Sequence, residues 1–286
     1  MKRFLYIFVL MFSAQPCLAQ DTLVHISLKS YKQLYDEPLT KEDSLNFKFM
    51  GNDTLVLVKN YTRPKGVRVP YEPKDSIFLK YYKKVAFVQK GENPDSTETM
   101  KYWKDDIKLF FSKSVSGKTR REVMRFAETI DEHVDSLSIS EVRNIEDSNY
   151  VVYFSDDYEY EPKLRRSYNS DYYIYWNGNS QIYRSAIKIN TKQFFNEKMR
   201  GERIKEMFFL SLGRFVQIDD FACESYFANC YSKNKHLTPL DMELLKYHYS
   251  YGICKGTTRE KFEKQHKMAK KILKNKHHKM MFIHSN

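Results

Sequence analysis

Ile204-Lys205-Glu206-Met207-Phe208-Phe209-Leu210-Ser211-Leu212-Gly213 is the stretch on which the fold turns. From Arg203 to Leu212 its apolar residues run almost all round a helix, and Gly213 is placed to end it. A helix of that kind belongs in the middle of a domain. Glu206, its inward-leaning carboxylate, then needs a partner, because an unpaired buried charge is costly.

Working outward, Ile107–Phe111 reads as a strand, and a helix follows from Thr119. Thr119-Arg120-Arg121-Glu122 fits a capping box, and Val123, Phe126, Ala127, Ile130, Val134 and Leu137 repeat at helical spacing as a core stripe. Tyr150–Phe154 is a continuous apolar run, which predicts a strand covered on both faces. Asp156–Asp171 is polar and loop-like. Tyr172–Trp176, the Asn177-Gly178 turn and a strand through Ile187 and Ile189 predict a hairpin.

Beyond the central helix, Thr238-Pro239-Leu240-Asp241 starts another that stops by Gly252, with Leu240, Leu244 and Leu245 facing inward. Arg259–Leu273 sets Phe262, Met268, Ala269, Ile272 and Leu273 against many lysines, the pattern of a docked terminal helix. His277-His278 near the end is read as an exposed pair without a site.

Toward the N-terminus the pattern changes to short alternating runs at Leu23–Leu28, Leu45–Phe49, Thr54–Val58 and Val85–Gln89, with a hairpin turn at Gly51-Asn52-Asp53. Residues 20–95 are therefore predicted to be a small β-rich module. The polar stretch 91–96 marks its boundary with a larger domain over 96–258, and 259–286 forms a basic helical tail.

Residues 1–19 read as a signal peptide, with Lys2 and Arg3 as the positive region, Phe4–Phe12 as the apolar region and Cys17-Leu18-Ala19 as the cleavage site. The apolar run is too short to span a bilayer, and no later stretch is long enough. A lipid anchor on Cys17 is the alternative, although Ala14-Gln15-Pro16 lacks the residues expected before such a cysteine. Export leads to a periplasmic or extracellular address. The 15% aromatic and 42% hydrophobic content supports a real core.

A formal charge of +12 suits anionic lipids or polymers, and export argues against nucleic acid as the partner. Among the cysteines left after cleavage, Cys223 and Cys230 are the pair closest in sequence and the chosen disulfide, with Cys254 left over.

The central helix, Asp219-Asp220, Ser225-Tyr226-Phe227, Leu237-Thr238-Pro239-Leu240-Asp241 and Gly252-Ile253-Cys254-Lys255-Gly256 together resemble one family in order and spacing. It is domain of unknown function 2927, exported bacterial proteins with a zincin-like, metallopeptidase-like fold, and the resemblance covers roughly 102–260. It implies an α+β domain with a mixed sheet, a long packing helix and a buried central helix. The element order read above agrees.

Zincins place H-E-x-x-H on the central helix, because residues four apart share a face where two histidines hold zinc and the glutamate deprotonates water. No such motif occurs here. Aligned on Leu212-Gly213, the family's commonly Glu-Glu-x-x-Gln positions fall at Glu206, Met207 and Leu210. A thioether and a hydrocarbon thus stand where a proton acceptor and a ligand belong. The resemblance therefore implies a metal-free domain that binds a peptide or envelope polymer without cutting it, with no cofactor.

Glu206, Asp219, Asp220, Tyr173 and Tyr175 are the candidate binding residues, and Tyr172 and Trp176 extend the aromatic group. A sheet edge able to add an extended peptide would serve as the binding mode. The alternative is a divergent metal-dependent peptidase using Glu206 with Asp219 or Asp220 and a histidine such as His248. A third reading is a basic module that coats anionic polymers through the lysine-rich tail.

Overall fold

A computed structural model of the chain describes residues 23–28, 31, 32, 35, 37–51, 53–59, 67–87, 98–274 and 281–284. The expected signal peptide, the 91–96 boundary and His277-His278 lie outside these residues. The chain divides into two compact units, Met1–Lys65 and Gly66–Asn286.

In the first unit, β1 (Leu23–Ser27), a short helix α1 (Lys41–Leu45), β2 (Lys48–Met50) and β3 (Asp53–Lys59) form a three-stranded antiparallel sheet in the order β1-β3-β2. Met50 pairs with Asp53 across the tight turn, where Gly51 takes a φ of +61°. That left-handed conformation carries little penalty without a Cβ. Leu45 ends α1 and does not begin a strand. Thr40 and Asp43 close a capping box there, and their mutual hydrogen bonds favour the helix.

The larger unit begins with β4 (Val67–Pro70) and helix α2 (Ser76–Ala86). A strand was expected over Val85–Gln89; Val85 and Ala86 instead finish α2. Asp75 caps this helix by accepting from the amides of Ile77 and Phe78, and Phe78, Leu79, Tyr82, Val85 and Ala86 make its buried stripe. The segment 66–87 therefore belongs to the larger unit and not to a β-rich module.

Next come β5 (Tyr102–Trp103), β6 (Ile107–Phe111), α3 (Gly117–His133), β7 (Ile139–Glu141), β8 (Tyr150–Phe154), β9 (Asp171–Trp176), β10 (Gln181–Ile189), α4 (Glu197–Ser211), α5 (Pro239–Tyr249), α6 (Arg259–Leu273) and β11 (Met281–His284). Strands β5 to β10 make one mixed sheet. β10 runs parallel to β8 and β5, β8 to β6 and β6 to β7, while β9 is antiparallel to β10. Ser185 pairs with Tyr150 on one side and with Ile174 on the other, so β9 lies at the outer edge. The fold is α+β with a mixed sheet.

All five residues of β8 are buried, as a strand covered on both faces requires. Tyr150, Val152 and Phe154 point toward the helices and join the main core with Ile187, Ile189 and Phe208. Val151 and Tyr153 point the other way, into a smaller cluster with Leu164 and Ala186.

Two helix starts differ from expectation. Ser116, not Thr119, caps α3: its hydroxyl accepts from the amide of Thr119, which is itself buried in the first turn. Helix α4 begins at Glu197, before the apolar stretch, capped by Asn196. Its Gly201 is buried where α4 faces α3, and a Cβ there would meet the Glu122 side chain at 3.5 Å, an ordinary van der Waals distance.

The tail helix is docked, as expected, through Phe262, His266 and Ala269, but Met268 is exposed. β11 then pairs antiparallel with β4. Among the described residues, no helix is long and apolar enough to cross a membrane.

Candidate functional site

Met207 and Leu210 point into the main core, while Glu206 on the same helix borders a cavity of about 550 Å³. Phe194, Arg203, Gln217, Tyr231 and Lys235 line it with Glu206. A helix sends residues three apart to neighbouring positions. Arg203 Nη1 accordingly donates to Glu206 Oε2 at 2.6 Å. The chain after α4 turns back and brings Gln217 Nε2 and Lys235 Nζ to Glu206 Oε1 at 2.8 and 3.0 Å.

Burial by itself raises the Glu206 carboxyl. The charge of Arg203, the hydrogen bonds from Gln217 and Arg203, and the charge of Lys235 outweigh it, so the group is held below the usual glutamate range. Gln217 and Lys235 also hold the rim, donating to the carbonyl of Ala228 at 3.0 and 2.6 Å. The Cys223–Cys230 disulfide closes this loop, with the Cα atoms 5.2 Å apart, and Cys230 borders the cavity.

The other candidates do not converge on Glu206. Asp219 accepts from Asn229 Nδ2 at 3.3 Å, Asp220 pairs with Lys84 on α2 at 2.6 Å, and neither lines the cavity. Tyr173 and Tyr175 face the smaller cluster across the sheet from α4. There the Tyr175 hydroxyl donates to the buried carboxylate of Glu161 at 2.7 Å. Tyr172 and Trp176 alternate to the helix side. Trp176 lies beneath two cations, Arg214 at 4.8 Å and Lys101 at 4.9 Å from its ring centroid.

His248 is fully buried with both ring nitrogens engaged, Nδ1 with the Tyr82 hydroxyl at 3.1 Å and Nε2 with the Lys101 carbonyl at 2.8 Å. Burial pushes its pKa down to about 3.

The donor set tests the zinc that the resemblance brings with it. A catalytic zinc takes about three protein ligands and an open position. Here Glu206 already accepts from three donors, two of them cations, the neighbouring motif positions are core hydrocarbon and thioether, and His248 is sealed away. These residues do not fit the metal. Among the described residues no group of three or more histidine, cysteine or acidic side chains is placed to hold an ion.

Ser225 is bonded to a structural partner: its hydroxyl donates to Asp241 Oδ1, and the amide of Tyr226 donates to Oδ2 at 3.1 Å. Asp241 also closes the capping box of α5 with Thr238. Two of the motifs read separately in the sequence are thus one hydrogen-bonded unit. Cys254, the free thiol among the described residues, is half-buried, and burial raises its pKa away from the reactive thiolate.

Arg203 was within reach of sequence reading, as a cation three residues before Glu206 on one helix. Gln217 and Lys235 carried no such signal, since only the return of the chain brings them to the site. Compared with known protein families and with curated proteins, the chain matches no family model and no curated sequence.

Proposed function

We propose that this is an exported envelope protein whose zincin-like domain has a cation-filled cleft in place of a metal centre and binds an extended peptide without cleaving it. The observation that carries the reading is the engagement of Glu206 by Arg203, Gln217 and Lys235 at the mouth of a ligand-sized cavity. A carboxylate held ionised by two cations is a weak base. It is poorly suited to taking a proton from water and well suited to fixing the donors around it.

Architecture adds support. β9, which among the described residues pairs with β10 alone, lies beside the helix that carries the degenerate motif, and an edge strand offers a main-chain binding mode that needs no metal. The signal-like residues 1–19 support export. An envelope polymer is the other ligand that the basic surface suits.

The test is a turnover assay on a mixed peptide library, with and without chelator, together with binding by the same library. The reading expects retained peptides and no cleavage in either condition. Chelator-sensitive cleavage would replace it with the peptidase reading.

A further inference from the structure

The cavity at Glu206 is lined by more cations than its carboxylates can hold. Lys198, Arg203, Lys233 and Lys235 border it against Glu202 and Glu206. Glu202 is already taken by Lys205 at 2.6 Å, and Glu206 alone serves both Arg203 and Lys235, at 2.6 and 3.0 Å. Among the described residues Lys198 and Lys233 enter no ion pair.

The two inner cations also have donors to spare. An ammonium offers three N–H groups and a guanidinium five. Lys235 uses two, on Glu206 Oε1 at 3.0 Å and on the Ala228 carbonyl at 2.6 Å. Among the described residues Arg203 uses one, from Nη1, and its Nε is buried without an acceptor. A buried N–H left unmet is uncommon in native structures, and it marks this guanidinium as short of acceptors.

The surroundings say what kind of anion fits. The side chains of Lys235 and Glu206 are only 11% and 13% exposed, so a new acceptor must reach a recessed pair. Phe194, Met199 and the exposed ring of Tyr231 give the same cavity apolar surface. A bare inorganic anion leaves that surface uncovered, whereas a carboxylate carried on an organic stem meets both demands. A planar carboxylate also matches a guanidinium, which can hold it through two parallel N–H···O bonds. Uronic acid polymers carry their carboxylates directly on bulky rings. A peptide offers two that reach further, the chain end and the acidic side chain.

We infer that the cavity is a carboxylate pocket: one carboxylate of the bound peptide, from its chain end or from an acidic side chain, enters beside Glu206 and takes the unused donors of Arg203 and Lys235. Lys198 and Lys233, both exposed at the lining, draw it in from solution. This rests on the peptide-binding reading above and adds the group that the cavity recognises.

The test takes peptides retained from the mixed library and resynthesises each with an N-terminal fluorophore in four forms, combining a free or amidated chain end with acidic or amide side chains. Anisotropy is measured on the full chain. Amidation of the carboxylate that enters the cavity weakens binding roughly tenfold, about the size of one hydrogen bond to a charged group. Comparison of the four forms tells the chain end from the side chain. Arg203→Gln removes this difference and Arg203→Lys restores part of it; melting curves establish that both variants fold. Carbodiimide coupling of the bound peptide to the wild-type chain locates the pocket without any variant, because the activated carboxylate is captured as an amide by Lys235, Lys233 or Lys198.

Equal binding of all four forms, a difference kept in full by Arg203→Gln, or coupling confined to lysines outside the cavity would overturn the carboxylate pocket and leave the peptide reading standing. Retention of no peptide would sink both. Displacement by polygalacturonate at a lower carboxylate concentration than by the unlabelled peptide would overturn the peptide carboxylate in favour of an envelope polymer.

Discussion

Two carboxylates from the C-terminal half are both taken out of water, and their surroundings send them in opposite directions. Asp241 is fully buried and accepts only from neutral groups, the Ser225 hydroxyl and the amides of Tyr226 and Thr238. Burial raises its pKa, and those hydrogen bonds lower it only in part. Glu206 meets the same desolvation, but two cations and an amide reverse its effect. Neutral donors make a sealed joint between the 225–227 loop and α5; cations beside a cavity make a charged site with capacity left over.

The largest expected effect breaks the joint. Asp241→Ala leaves three donors without an acceptor and should cost about 3 to 5 kcal/mol in denaturant unfolding, given roughly 1 to 3 kcal/mol for each buried unmet group. A loss below about 1 kcal/mol would mean that water replaces the carboxylate and the joint is not sealed.

Glu206→Ala should cost somewhat less, about 2 to 4 kcal/mol, because Arg203 and Lys235 are left facing each other but border a cavity that admits water. The sharper readout is ligand binding. Removing this carboxylate frees two cations, so affinity for an acidic peptide should rise even as stability falls. Parallel loss of both would make Glu206 a direct ligand contact.

Opening the Cys223–Cys230 loop with Cys223→Ser and Cys230→Ser should cost about 2 to 3 kcal/mol, the loop-closure entropy of so short a ring. It should also loosen the Ala228 carbonyl that Gln217 and Lys235 hold, and so weaken peptide binding while leaving the Asp241 joint intact.

The smallest effect is the pH dependence, and the comparison fixes its sign. A lowered folded-state pKa makes the Glu206 contribution complete above the usual glutamate range and lost as pH falls through the folded value. The raised pKa of Asp241 works the other way: its contribution is complete below the usual aspartate range and lost as pH rises through the folded value. Measured between about pH 7 and pH 3, the stability gap between wild type and Glu206→Gln should shrink with acid, whereas wild type should gain on Asp241→Asn. Gaps that move together would remove the contrast.

Much of the scaffold was legible in the sequence, for identifiable reasons. Burial on both faces of β8 shows as an unbroken apolar run, and the core of α4 as apolar residues all round. Cys223 and Cys230 lie close enough in sequence to suggest their pairing. Local patterns mislead where they are ambiguous: Val85–Gln89 has strand-forming residues, and the stripe that carries Val85 and Ala86 into a helix begins at Phe78. Gly201 lies inside α4, where the low helix propensity of glycine reads as a break.

The site was less legible. Alternation separates Tyr173 and Tyr175 from Tyr172 and Trp176, but the sequence does not say which pair faces α4. The charges that decide the chemistry of Glu206 come from positions 217 and 235, and tertiary folding alone sets them beside position 206.

The central claim is that hydrogen bonds and ion pairs satisfy Glu206 without a metal. Its most direct test is the zinc content of the purified chain, equilibrated with zinc and then dialysed, for wild type and Glu206→Gln side by side. The account predicts no retained zinc in either protein; one zinc per wild-type chain, lost in Glu206→Gln, would contradict it.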